Sequence, residues 1–154
     1  MRTIKTIFLL ATLAAAPAVA GTEGIAISVG SRHYGNVLPC NGAKEYNESN
    51  PGLGFRTRRF ESLEFEAGVF RNSLDVKSTY GSLTLLPYRS EYLELGLMAG
   101  VASGYCSNSS GRVGTGALVL NIWTTKHVGV QFLGIPLIKK ITPGVVALRV
   151  LVKL

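Results

Sequence analysis

The feature that most constrains this chain is a repeated alternation of apolar residues with polar or small ones. Between 63 and 70 the odd positions are apolar, and the even positions include two glutamates. The stretches 92–101 and 146–154 alternate in the same way, and so does 25–30. Successive side chains of a strand point to opposite faces, so this pattern predicts strands with one uniformly apolar face.

Turn-forming residues divide the chain into eight such strands. The predicted strands cover residues 24–33, 51–58, 62–71, 77–87, 91–104, 113–123, 126–134 and 143–154. Short connections at 59–61, 88–90 and 124–125 alternate with longer ones at 34–50, 72–76, 105–112 and 135–142. Tight turns at one end and long loops at the other are typical of outer-membrane barrels. The predicted fold is therefore all-β, an eight-stranded antiparallel up-and-down β-barrel of outer-membrane type.

The alternation alone does not say which strand face points outward. A soluble barrel turns its apolar face inward, whereas a membrane barrel turns it toward lipid. The mixed face contains charges of both signs that can pair inside a lumen, and only 16% of all residues are charged. These features favour the membrane barrel, and a soluble lipocalin-like periplasmic binder is the alternative.

The N-terminus has the organisation of an export signal. Arg2 and Lys5 precede an apolar run, and Ala18-Val19-Ala20 forms a small-x-small cleavage site. We therefore expect residues 1–20 to be a signal peptide and residues 21–154 to form a single barrel domain in the cell outer membrane. An even number of cysteines in an exported chain suggests one disulfide, between Cys40 and Cys106. No CxxC pair suggests a metal site.

If the N-terminus is periplasmic, the ends of the odd-numbered strands share the external rim. That rim then holds His33, Asn72, Ser73 and both cysteines. Seven basic residues also fall near it: Arg32, Lys44, Arg71, Lys77, Arg112, Lys139 and Lys140. The full chain has a formal net charge of +7, and basic loops suit the phosphates of an outer-leaflet glycolipid. Ordinary solvated loops give the same pattern. Nucleic acid is not expected for an exported chain without a nucleic-acid-binding module.

Several segments resemble the lipid A palmitoyltransferase family (the PagP type). The resemblance lies in "HYGNVLPCNGAKEYNESNPGLGF", "EAGVFRNS" and "LGLMAGVASGY" and covers roughly residues 31–105. It implies an outer-membrane barrel that transfers an acyl chain from a phospholipid to lipid A without a cofactor. By position, His33 matches the family's His and Ser73 its Ser, while Asn72 stands where the family has Asp. Asp75 is a nearby carboxylate.

The resemblance implies a monomeric acyltransferase with a site at the external rim. His33 would act as base, Ser73 as nucleophile or positioning group, and Arg71 or Asn72 as oxyanion donor. Arg71, Lys77 and Arg112 are the candidate lipid-binding residues, and no metal is expected. The alternative from another class is a non-catalytic small outer-membrane barrel with a structural or lipid-binding role. Asn72 favours it, because an amide cannot replace a carboxylate beside an imidazole.

Two further expectations concern side-chain direction. Strand parity places His33 in register with Ile25 and Ile27, and Ser73 in register with Val69. Both would then point toward lipid unless a bulge or the loop turns them. The tyrosines and Trp123 lie mostly near strand ends, which predicts an aromatic belt at the membrane interfaces.

Overall fold

The computed structural model describes residues 23–35, 45–105, 111–138 and 143–154. The predicted signal peptide, both cysteines, and Lys44, Lys139 and Lys140 lie outside these residues. Eight strands follow one another: β1 Gly24–Tyr34, β2 Ser49–Phe60, β3 Leu63–Arg71, β4 Lys77–Arg89, β5 Leu93–Ala102, β6 Val113–Trp123, β7 Val128–Ile135 and β8 Gly144–Lys153. None of the described stretches forms a helix with the length and apolarity needed to cross a membrane.

Each strand pairs antiparallel with the next, and β1 pairs with β8 to close the barrel. The eight-stranded up-and-down fold predicted from the alternation is therefore confirmed. The connections 61–62, 90–92 and 124–127 lie at one end, called here the turn end. The connections 35–48, 72–76, 103–112 and 136–143 lie at the other, the long-loop end.

The apolar strand face points outward. Phe55, Leu97 and Leu118 are each more than half exposed, on three different strands. Further apolar side chains at least a third exposed continue this surface around the barrel: Ile27, Leu53, Phe65, Val69, Leu83, Leu85, Leu95, Val101, Ile122, Phe132 and Val146. A soluble barrel would bury this face, so the structure has the inverted arrangement of a membrane barrel.

The mixed face points inward and builds a closed polar network, called here the lumen ring. Its members are Arg56, Arg58, Glu64, Glu66, Glu94, Asn121, Gln131 and Arg149. Three glutamates face three arginines in this ring, and Arg89 from the turn end adds a further ion pair, 3.0 Å from Glu94. Glu64 bonds to both Arg56 and Arg58, and Glu66 bonds to Arg149 and lies 3.4 Å from Arg56.

Two contacts of the lumen ring cross the barrel. Arg149 on β8 reaches Glu66 on β3, and Arg58 on β2 lies 3.6 Å from Glu94 on β5. Neither pair belongs to neighbouring strands. Three hydrogen bonds of 2.9 Å complete the circuit, from Asn121 to Glu94, from Gln131 to Asn121, and from Arg149 to Gln131. Polar side chains therefore fill the cross-section of the barrel at this level.

Apolar side chains fill the lumen on the long-loop side of this ring. Leu86, Ala117, Val119 and Leu133 form a buried cluster, with Met98, Ile135 and Ala147 packed against it. On the turn side, Trp123 packs with Ala26 and Leu151, and Lys153 Nζ lies 3.6 Å from its ring centroid. The aromatic-belt prediction is therefore wrong for Trp123. It is also wrong for Tyr80, whose hydroxyl bonds Glu66 inside the barrel.

Arg149→Ala tests the lumen ring. Removing this buried cation leaves Glu66 short of a partner, and breaking a buried ion pair costs about 3–5 kcal/mol. We expect a loss of that size in the free energy of unfolding, measured with urea on protein folded in detergent micelles. The control is Arg59→Ala, an exposed arginine at the turn end, with an expected change within about 0.5 kcal/mol. Equal losses in both variants would contradict the network's role.

Candidate functional site at the long-loop end

A β-bulge turns His33 toward the barrel interior. Ser28 pairs with Arg149 and Gly30 with Leu148, so Val29 is an extra residue in β1. The register after the bulge places His33 opposite Val145, which shares the inner face with Arg149. The alternation along β1 predicted that His33 points toward lipid, and the one inserted residue turns it inward instead.

The end of the first long loop covers His33. The ring of Tyr46 stacks on the imidazole, with 4.3 Å between centroids and 13° between planes. Glu48 fixes the end of this loop to β1. Its carboxylate accepts hydrogen bonds from Arg32 at 2.9 Å and from the backbone N–H of His33 at 3.4 Å. The His33 Nδ1 is buried and has no hydrogen-bond partner among the residues that the structure describes. Burial raises the pKa of the Tyr46 hydroxyl, which is therefore neutral.

Asn72 is fully buried, and its side-chain amide bonds both within the 72–76 loop and to residues outside it. Its Oδ1 accepts from the backbone N–H groups of Leu74 and Val76 at 2.9 and 3.0 Å. Its Nδ2 donates to Ser78 Oγ at 2.8 Å and to the Gly104 carbonyl at 2.9 Å. Both donors and both acceptor positions of the amide are engaged. The geometry makes Asn72 the organising residue of this loop.

Ser73 belongs to the same loop and contacts other loops rather than lipid. Tyr105 hydrogen-bonds to its side chain and backbone. The Asn47 N–H donates to the Ser73 carbonyl at 2.8 Å. Because Tyr46 stacks on His33 and Asn47 bonds to Ser73, two consecutive residues link the predicted base and the predicted hydroxyl. Burial raises the pKa of Tyr105, which is the larger effect, and the bond to Ser73 opposes it.

The carboxylate nearest to His33 belongs to Glu48. Asp75, the acid that sequence reasoning singled out, instead forms a two-point ion pair with Arg71. Glu48 lies within the segment that resembles the acyltransferase family, but its contact with His33 depends on how the loop returns to β2. Only the folded structure of the loop identifies Glu48 as the carboxylate that contacts His33.

The three predicted lipid-binding residues do not form one group. Arg71 and Lys77 face each other across β3 and β4 and line one cavity of about 420 Å3 on the outer wall. Arg112 immediately precedes β6, three strands along the barrel from β3. Among the described residues no cluster of three or more His, Cys, Asp or Glu side chains could hold a metal ion.

The pairing of β6 with β7 stops short of the long-loop end, and the stretch of β6 beyond it, residues 113–117, is called here the β6–β7 notch. β6 pairs with β7 only from Leu118 onward, so residues 113–117 have no β7 partner. Pro136 ends β7, and Leu137 then packs against Gly35 and Gly144 on the opposite side. The inner residues flanking the notch, Ala117 and Ile135, belong to the apolar cluster of the lumen. The notch therefore lies beside the apolar cluster of the lumen.

Comparisons with known proteins support the fold but not a particular family. No protein-family model and no curated protein matches the chain. It is similar to the N-terminal β-barrel domain of Pseudomonas aeruginosa OprF, with a TM-score of 0.54 and 15% identity over 87% of this chain and 99% of that one. The Yersinia pestis outer membrane protein Ail in a phospholipid bilayer nanodisc gives a TM-score of 0.45 and 15% identity, over 86% and 99%. The chain has the eight-stranded fold of outer-membrane barrels.

Asn72→Asp tests the assignment of Asn72 to loop structure. The acid supplies no donor for the Gly104 carbonyl, and an unsatisfied buried acceptor costs about 1–3 kcal/mol. We expect a loss of that size in unfolding free energy, measured with urea. The reverse exchange in the same loop, Asp75→Asn, removes only an exposed ion pair and is expected to cost less than about 1 kcal/mol. The assignment fails if Asn72→Asp is as stable as the wild-type protein.

Proposed function

We propose that the protein is a small outer-membrane barrel whose lumen is sealed and whose activity lies at its long-loop end. The lumen ring is the observation that carries this proposal. Behind an apolar outer wall, ion-paired side chains join strands on opposite sides of the barrel. A channel protein needs a water-filled path through that cross-section. The protein would then act on membrane components rather than conduct solutes.

The proposal predicts that the purified protein forms no channel. In planar lipid bilayers we expect no stepwise conductance, because the buried ion pairs block the lumen. Folding is checked on the same sample by the different gel migration of heated and unheated protein. Reproducible conductance steps from the folded wild-type protein would contradict the sealed lumen.

Acyl transfer at the long-loop end is the second candidate function. The β6–β7 notch favours it, because an acyl chain that entered there would reach the apolar cluster of the lumen. The bulge in β1 supports it further, since His33 faces inward and is linked to Ser73 through Tyr46 and Asn47. Glu48 then provides the carboxylate near His33 that the family resemblance assigns to the position of Asn72.

The chemistry requires only groups of this chain. A hydroxyl of lipid A attacks the ester carbonyl of a phospholipid, and His33 accepts the proton of that hydroxyl. The acyl–oxygen bond of the phospholipid breaks, and the leaving oxygen takes the proton back from His33. In this direct transfer Ser73 is a positioning group. If Ser73 is instead the nucleophile, its hydroxyl first takes the acyl chain from the phospholipid, and the lipid A hydroxyl then takes the chain from the Ser73 ester, with His33 moving the proton in each step. No cofactor enters this scheme.

Mass spectrometry of lipid A from cells that produce the protein tests this candidate. Acyl transfer predicts an added C16 chain with the wild-type protein, and its loss with His33→Ala or Ser73→Ala. The matched control is His127→Ala, which changes the only other histidine, an exposed residue at the turn end. Unchanged lipid A at good wild-type expression would exclude the acyltransferase and leave the sealed barrel standing.

A further inference from the structure

The cavity of about 420 Å3 on the outer wall combines apolar and charged groups in an ordered way. Pro51 and Val69 form its apolar part. Val69 is 41% exposed and is the last outward apolar residue of β3 before the long-loop end. Arg71 and Lys77 lie one step further toward that end, with Asp75 beside them. The cavity therefore changes from apolar to cationic along the barrel axis.

Two cations of this cavity stand at opposed positions on neighbouring strands. Arg71 and Lys77 are direct cross-strand partners, and like charges at such positions are destabilising. Asp75 compensates only one of them, through Arg71 Nε and Nη2. No acidic partner of Lys77 is found in the part of the chain that the structure describes. An anion between Arg71 and Lys77 would relieve this repulsion.

The position of the cavity indicates which anion it suits. A lipid molecule beside the barrel places its acyl chains along the apolar wall and its headgroup past the end of that wall. The long-loop end of an outer-membrane barrel faces outward, where the leaflet carries phosphorylated glycolipid. Paired basic side chains bind phosphate through charge-assisted hydrogen bonds.

We propose that this cavity binds a phosphate group of lipid A, with Arg71 and Lys77 on the phosphate and Val69 and Pro51 against the adjoining acyl chain. The inference rests on the proposed outer-membrane location but not on acyl transfer. Asp75 occupies two N–H groups of Arg71, and the other N–H groups of Arg71 bind the phosphate. Asp75 is thus a competitor that lowers the affinity of the site.

Replacing Asp75 gives a test in which lipid A binding is expected to become tighter rather than weaker. The backbone of Asp75 has a φ of 65°, a left-handed conformation that Asn adopts as readily as Asp. Asp75→Asn therefore removes the competing charge without disturbing the turn. We expect it to bind lipid A several-fold more tightly than the wild-type protein, whereas most substitutions in a binding site weaken binding.

The experiment titrates purified protein in zwitterionic detergent with lipid A and follows the bound fraction by native mass spectrometry. The double variant Arg71→Gln/Lys77→Gln should weaken binding about tenfold, equivalent to about 1.4 kcal/mol. The control Arg59→Gln/Lys126→Gln makes the same charge change at exposed positions of the turn end and should bind as the wild type does. Dephosphorylated lipid A should bind as weakly as the double variant binds lipid A.

The inference would be overturned by equal affinity of the two double variants, by equal affinity for dephosphorylated lipid A, or by weaker binding of lipid A to Asp75→Asn. Phosphatidylglycerol binding as tight as lipid A would also overturn it, since the site would then be a general phosphate site. Failure of the outer-membrane proposal would be recognised by a different result, because a freely soluble protein would be recovered without detergent. Gel migration of unheated samples confirms that each variant is folded.

Discussion

The ion pairs that cross the lumen are the constraint on which the rest of this structure depends. Turning every apolar strand face outward leaves the barrel with a charged interior. Burying isolated charges would cost several kcal/mol each, so the interior must pair them. Three arginines and three glutamates do so, and the amides of Asn121 and Gln131 join the two sides. The same pairing fills the cross-section of the lumen, and for this reason the proposed activity is assigned to the long-loop end.

Much of the fold could be predicted because it follows from a local rule. A period of two is visible within each strand, and turn residues mark where each strand stops. The sequence even placed Glu64, Glu66 and Arg149 on the mixed face. It could not show that Arg149 reaches Glu66, because that contact spans eighty-three positions of the chain and depends on barrel closure. Trp123 was misplaced for a related reason: its position at a strand end suggested the membrane interface, whereas its strand parity turns it inward.

The site was less predictable because it depends on irregularities. A single extra residue at Val29 reverses the direction of His33, and nothing in the composition of β1 marks that bulge. Asn72 and Ser73 were expected together, and they are adjacent in the fold as in the sequence. The two residues do not act together as a pair. Asn72 organises its own loop, whereas Ser73 contacts Tyr105 and Asn47. The contact of Glu48 with His33 depends on the path of the first long loop, which no local pattern encodes.

The most direct test of the account is whether the apolar wall lies in the bilayer. Spin labels at Leu53 and Leu97, outward residues of β2 and β5, can be introduced singly after replacing both cysteines with serine. In reconstituted vesicles the account predicts that both labels are accessible to oxygen and shielded from a water-soluble nickel complex. A label at Glu91, exposed in a turn, should show the opposite. Free access of the nickel complex to Leu53 and Leu97 in the folded protein would contradict the account.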